Sequence, residues 1–264
     1  MAAPQNTLKM RMARGDVVSG IWLATGEPYL AEIAATAGFD WLLIDGEHAP
    51  NDLRSMSAQL AVVRSSGSEP VVRLVSDDPN RIKMALDIGV QTLVIPMVNS
   101  AAQAREVVRA TRYAPEGIRG SGAALGRATD FGKVTDYIAT AHEQIAILAQ
   151  IETRAAVNAL DEILAVDGID GVFVGPSDLS VDMGYQGSYE PQEFQKTVFD
   201  VISRARSIGK TAGIIAPEGS FLDGCRQAGL NFIALGADVM ILSQALRDLA
   251  AGGKSKGGYL AARY

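Results

Sequence analysis

Four short stretches of the chain place chemically active side chains at the end of an apolar run. WLLI leads into Asp45-Gly46-Glu47-His48, and Arg73 sits within VVRLV. AILAQIE carries Gln150 and Glu152, and GVFVG leads into Pro176-Ser177-Asp178. Carboxylates such as Glu152 and Asp178, completed by water and substrate oxygens, form the usual shell of a hard divalent cation, Mg²⁺ or Mn²⁺. An imidazole with an acid three residues earlier, His48 with Asp45, is the arrangement of a general base whose protonated form a neighbour supports. A guanidinium within VVRLV must meet an anion or face an open mouth, because burying an unpaired charge is costly.

Each residue also has a structural alternative. Glu152 is placed to cap the helix that follows it, and Asp178, just after Pro176, to cap a short turn. His48 reads equally as a satisfied structural histidine, and Arg73 as half of a salt bridge. Trp22 either walls a pocket or packs. Arg119, in GIRGSG, either binds substrate or pins its loop. His142 reads as a surface residue and Cys225 as a small packing residue. None of the seven lysines (9, 83, 133, 196, 210, 254 and 256) falls at the C-terminal end of an apolar run, so a Schiff base is not expected, and carbonyl chemistry would use a metal instead.

The elements that must position these groups follow from alternation. Runs rich in Val, Ile and Leu predict strands at 18–23, 40–44, 70–74, 91–95, 145–150, 169–174, 210–215 and 231–235. Each is apolar at consecutive positions, which implies burial on both faces, as in a parallel sheet covered by helices. Helical periodicity occupies 27–37, 51–65, 100–112, 154–165, 191–208, 217–228 and 238–250. Strand–helix alternation repeated eight times predicts a single-domain (β/α)8 TIM barrel, in which sites form where strands lead into helices. A doubly wound open sheet is the competing architecture. The end of the first strand, LATGEPYLAE, lacks its glycine-rich dinucleotide turn. A glycine-rich loop at 113–132 reads as functional or mobile, and residues 252–264 as a flexible tail.

Composition narrows the classes. The chain has 264 residues, a formal charge of −6, 48% hydrophobic residues and one cysteine. One cysteine excludes an internal disulfide framework and any multi-cysteine metal site. Net acidity without a basic run argues against nucleic acid as the main partner. No apolar run reaches 18 residues, and the first residues lack a secretory core, so no membrane span and a cytoplasmic location are expected.

Taken in order, DGEH at 45–48, Arg73 in VVRL, YAPEGIRG, QIET at 150–153, GPSDL at 175–179 and GIIAP at 213–217 resemble the HpcH/HpaI aldolase family over about residues 15–250. These are metal-dependent pyruvate aldolases of the phosphoenolpyruvate/pyruvate barrel superfamily. The resemblance implies that Glu152 and Asp178 hold the divalent cation (Mg²⁺, Mn²⁺ or Co²⁺). Gln150 becomes their neighbour, and His48, oriented by Asp45, the acid/base residue. Arg73 faces the keto oxygen, and the backbone around Ser177 and Asp178 seats the substrate carboxylate. The implied reaction cleaves a 4-hydroxy-2-oxo acid to pyruvate, or hydroxypyruvate, and an aldehyde through a metal-stabilised enolate. It further implies a homohexamer with the C-terminal helix exchanged between subunits. Oxaloacetate decarboxylation, an acyl-CoA lyase of the citrate/malyl-CoA type and a non-catalytic keto-acid-binding barrel are the other readings.

Overall fold

The computed structural model describes residues 1–256, with side chains to residue 252. Eight parallel strands close into a barrel in sequence order: β1 (Val18–Leu23), β2 (Trp41–Asp45), β3 (Glu69–Arg73), β4 (Thr92–Ile95), β5 (Ala146–Ile151), β6 (Gly171–Val174), β7 (Thr211–Ile215) and β8 (Phe232–Ala237). The expected (β/α)8 barrel is thus the fold, and the open sheet is excluded by the pairing of β1 with β8.

Consecutive apolarity has a simple cause here. Successive side chains on a strand point to opposite faces. On β2, Leu42 and Ile44 meet the helices, while Trp41 and Leu43 fill the barrel. The same alternation sends Val71, Leu148 and Phe173 inward. The interior is closed from below by α1 (Thr7–Arg14), whose Leu8 and Met12, one turn apart, are buried in it.

Helices surround the barrel: α2 (Pro28–Ala35), α3 (Leu53–Val63), α4 (Pro79–Asp87), α5 (Ala101–Thr111), α6 (Tyr137–Gln144), α7 (Arg154–Asn158), α8 (Leu160–Leu164), α9 (Pro176–Asp182), α10 (Gln192–Ser207), α11 (Ser220–Gln227) and α12 (Asp238–Lys256). Helices α1, α4, α6 and α9 were not expected from periodicity. The 154–165 helix is broken into two short pieces. Helix α12 runs on to Lys256, so residues 252–256 of the expected tail are helical, and the rest of that tail lies outside the described residues. Its side chains Met240, Ile241, Leu246 and Leu249 are exposed.

The loop at 113–132 is tied down. Arg119, whose side chain is fully buried, donates to Asp87 at 2.9 Å and to the Tyr137 hydroxyl at 3.3 Å. Its guanidinium lies over the rings of Tyr113 and Tyr137. Arg119 therefore pins the loop rather than facing the barrel mouth. Among the described residues, no helix is long and apolar enough to cross a membrane.

Candidate active site

The alternation that fills the barrel also aims its last layer of side chains. Continuing inward from Leu43, the next inward position on β2 is Asp45; from Val71 on β3 it is Arg73; from Leu148 on β5 it is Gln150, with Glu152 one step beyond the strand. Asp45 and Arg73 are direct register partners. All four are at most 5% exposed. Three strands therefore deliver four polar groups to one rim, at the C-terminal end where barrel sites form.

Arg73 is the best-held group. Its Nε and Nη2 donate to the two oxygens of Asp45, each at 2.8 Å, in a fork. Its Nη1 lies 2.6 Å from Glu47 Oε2, an ion pair whose angle falls short of a hydrogen bond. The Trp22 ring lies 4.2 Å from the guanidinium carbon, a cation–π contact. Trp22 thus does more than pack: it is the floor on which Arg73 rests.

Asp45 is fully occupied by this task. Besides Arg73 it accepts the backbone N–H groups of Glu47 (3.0 Å) and His48 (3.4 Å). It reaches His48 only through that backbone N–H, so the expectation that it orients the imidazole does not hold. The imidazole is two-thirds exposed, and its Nε2 lies 3.8 Å from Glu47 Oε2. The reason is parity: Asp45 ends a strand pointing inward, while His48 lies on the turn beyond.

Glu152 is a buried carboxylate with two donors. Met97 N–H reaches Oε1 at 2.6 Å, and the Gln150 amide makes a short contact to Oε2. Burial pushes its pKa up, and the nearby charge of Asp178 adds to the rise. The Gln150 and Met97 donors and Arg73 oppose it. Burial likewise raises Glu47, against the pull of Arg73 and His48. Glu152 does not cap the next helix: Thr153 does, accepting from Ala156 N–H at 3.0 Å. Asp178 lies in the first turn of α9 without capping it, is exposed, and is close enough to Glu152 to shift its proton affinity. The Ser177 hydroxyl is 2.8 Å from that of Tyr189.

The carboxylate chemistry suits a hard cation. Arg73 pairs with Asp45 and Glu47, and Glu152 feels both Arg73 and Asp178, so the mouth holds four carboxylates to one guanidinium. Gln150 Oε1 is buried there without a partner. Among the described residues no third His, Cys, Asp or Glu groups with Glu152 and Asp178 as a ready-made cage. Further ligands would be oxygens of water and substrate, as is usual for Mg²⁺ and Mn²⁺.

Three participants escaped the reading of the residues. Glu47 was seen only as part of its motif, although it bridges Arg73 and His48. Met97 acts through its backbone, which no side-chain pattern reveals. Gly175 makes room: a Cβ there would stand 2.4 Å from Glu152 Oε2. Its place between a strand and a Pro-started helix is the one signal available. His142 is exposed, as expected, and lines a cavity of about 680 Å³ with Lys9, Asp170 and Lys210. Asp170 and Lys210 immediately precede β6 and β7, so this cavity lies at the opposite end of the barrel from the carboxylates. Cys225 is buried, and burial pushes its thiol up to about 12, which fits packing and not nucleophilic attack.

Comparison with known proteins bears on this arrangement. The family model described as HpcH/HpaI aldolase/citrate lyase matches residues 18–245. A hydroxypyruvate/pyruvate aldolase of Roseovarius nubinhibens is 55% identical over 248 residues, 94% of this chain and 96% of the relative. A 2-keto-3-deoxy-L-rhamnonate aldolase of Klebsiella pneumoniae is 47% identical over 241 residues, 91% of this chain and 90% of the relative. A crystal structure of a family protein from Burkholderia cenocepacia superposes with a TM-score of 0.89 at 35% identity, covering 95% of this chain and all of that one.

Proposed function

Because the chain belongs to the HpcH/HpaI aldolase/citrate lyase family, we propose that it is a divalent-metal-dependent aldolase that reversibly cleaves a 4-hydroxy-2-oxo acid into pyruvate, or hydroxypyruvate, and an aldehyde. The observation that carries the reading is the charge balance of the mouth: Asp45, Glu47, Glu152 and Asp178 against the one guanidinium of Arg73. That excess favours a cation between Glu152 and Asp178. The aldolase relatives at 55% and 47% identity support the reaction class.

Glu152 and Asp178 would hold Mg²⁺, Mn²⁺ or Co²⁺, which when bound supplies Lewis-acid polarisation of the substrate's keto oxygen. The remaining chemistry belongs to the chain. Arg73, locked by the Asp45 fork and the Glu47 ion pair, presents a fixed positive charge beside that oxygen and stabilises the charge that develops on it. Its rigidity is useful because a preorganised donor loses nothing by reorienting as charge appears. The substrate carboxylate is seated at the backbone of Ser177 and Asp178, at the start of α9, where N–H groups have no partner within the helix.

His48 takes the proton of the C4 hydroxyl, directly or through water. The C3–C4 bond then breaks, its electron pair passes into the enolate of the three-carbon fragment, the aldehyde departs, and C3 of the enolate takes a proton from water to give pyruvate. In the reverse direction the enolate attacks the aldehyde, and His48 returns the proton. The exposed imidazole can meet an incoming aldehyde, and its Nε2 lies 3.8 Å from Glu47 Oε2. The aldehyde partner is open to succinic semialdehyde, tartronate semialdehyde, glyoxylate and hydroxypyruvate. The apolar residues left exposed on α12 support assembly into a homo-oligomer, a hexamer by family resemblance, which light scattering would size.

The test is removal and return of the metal. Aldol cleavage should vanish in excess chelator and reappear with Mn²⁺ or Mg²⁺. Full turnover in chelator would refute the metal role.

A further inference from the structure

Met97, in the turn between β4 and α5, has a backbone that its own side chain does not explain. Its φ is 54°, in the left-handed region. That conformation is uncommon for any non-glycine residue with a long side chain. The Met97 side chain is 45% exposed, so burying it does not compensate the strain. Its neighbours hold the backbone instead. The Met97 carbonyl accepts from Asn99 Nδ2 at 3.0 Å and from Gln103 Nε2 at 2.9 Å. Gln103, on α5, also donates to Asp77 Oδ2 at 3.0 Å and accepts Asn99 N–H at 2.8 Å. The Thr153 hydroxyl closes on Asn99 Oδ1 from the β5 side.

All of this clamping leaves one group pointing at the site. The Met97 N–H meets Glu152 Oε1 at 2.6 Å, while the Gln150 amide takes Oε2. Local strain of this kind persists where the surroundings over-determine it, and it concentrates at functional sites.

We propose that Met97 is a positioning residue: its left-handed backbone, clamped by Asn99 and Gln103, aims an N–H that fixes the orientation in which Glu152 meets the divalent cation. The inference rests on the metal reading above. It makes conformational preference at position 97, rather than side-chain chemistry, the determinant of metal affinity. Glycine adopts this φ freely, whereas a β-branched residue there is an outlier.

The test compares the full chain with Met97→Gly, Met97→Val and Gln103→Leu. Each is stripped of metal and titrated with Mn²⁺, the free ion being read by electron paramagnetic resonance. Melting temperatures are recorded alongside. Met97→Gly should bind within twofold of the parent. Met97→Val and Gln103→Leu should bind about tenfold more weakly, beyond any change that tracks melting temperature. Should Met97→Val fail to fold, Gln103→Leu decides alone. Parent-like binding by Met97→Val, or by Gln103→Leu when it decides alone, overturns the inference and leaves the metal reading standing, as does equal weakening by Met97→Gly and Met97→Val. A parent chain that takes up no Mn²⁺ removes the metal reading and this inference with it.

Discussion

Gly175→Ala isolates the geometry of Glu152 with the smallest available perturbation. Gly175 has φ −88° and ψ 89°, which an alanine can adopt, so no backbone strain is introduced. The objection to alanine is contact alone. An ideal Cβ would stand 2.4 Å from Glu152 Oε2, 2.9 Å from Glu152 Cβ and 3.2 Å from Gln150 Nε2. For the first contact to become ordinary the carboxylate must retreat by about 1 Å. A misplacement of about 1 Å in a catalytic constellation is worth roughly 10²-fold in rate, or about 2.7 kcal/mol of transition-state stabilisation. The folding cost is smaller in effect: overpacking of about 1–3 kcal/mol is partly offset by roughly 0.4–1 kcal/mol from the stiffer unfolded chain. The variant should therefore stay folded. The assay is release of pyruvate from the aldol of pyruvate and glyoxylate, coupled to NADH oxidation by lactate dehydrogenase, at saturating Mn²⁺. We expect kcat/KM to fall about 10²-fold with the melting curve still cooperative. Gly122→Ala, where an added Cβ meets nothing within 4 Å, is the control and should be neutral. A folded Gly175→Ala with parental kcat/KM would show that the position of Glu152 is irrelevant to turnover.

Arg73→Lys keeps the charge but loses the fork to Asp45 and the reach to Glu47. We expect kcat/KM to drop by roughly 10²–10³, and parental turnover would return Arg73 to a structural role. His48→Ala removes an exposed side chain, so stability should change by no more than about 0.5 kcal/mol. The same change should lower kcat by roughly 10²–10⁴ with Mn²⁺ affinity intact; an unaltered kcat would make His48 a bystander. Proton competition supplies a third check. Because burial and Asp178 raise the Glu152 carboxyl above its ordinary value, over the opposing Gln150, Met97 and Arg73 contacts, protons displace the cation earlier than at an ordinary glutamate. Mn²⁺ affinity should hold above the raised pKa and weaken as pH falls through it, starting above about 4.3. Affinity that is flat down to the ordinary glutamate range would contradict the shift.

Much of the fold could be read in the residues because a parallel barrel buries both faces of every strand. LLI at 42–44 and GVFV at 171–174 are apolar without interruption for that reason. The helices that escaped are short and lie in largely polar sequence or just after a proline. Helix α1 buries Leu8 and Met12 within a basic stretch, and α4 begins at a proline capped by Asp78. The rim residues were legible because each breaks an apolar run at its end. Their pairing was less so. Asp45 and His48 are three residues apart and invite an acid–imidazole pair, yet strand register gives Asp45 to Arg73, 28 residues away. Sequence neighbours at a strand end point in different directions, whereas register partners across two strands share a layer. The contributions of Met97 and Gly175 come from a backbone N–H and a missing side chain, which leave no compositional trace.

A cation held by Glu152 and Asp178 underlies the whole proposed reaction. The most direct measurement is a crystal grown with Mn²⁺ and pyruvate, examined by anomalous scattering at the manganese edge. One strong peak is expected, with oxygens of Glu152, Asp178 and pyruvate at coordination distances of roughly 2.0–2.6 Å. A manganese peak elsewhere, or pyruvate bound in the mouth with both carboxylates remote from any ion, would contradict it.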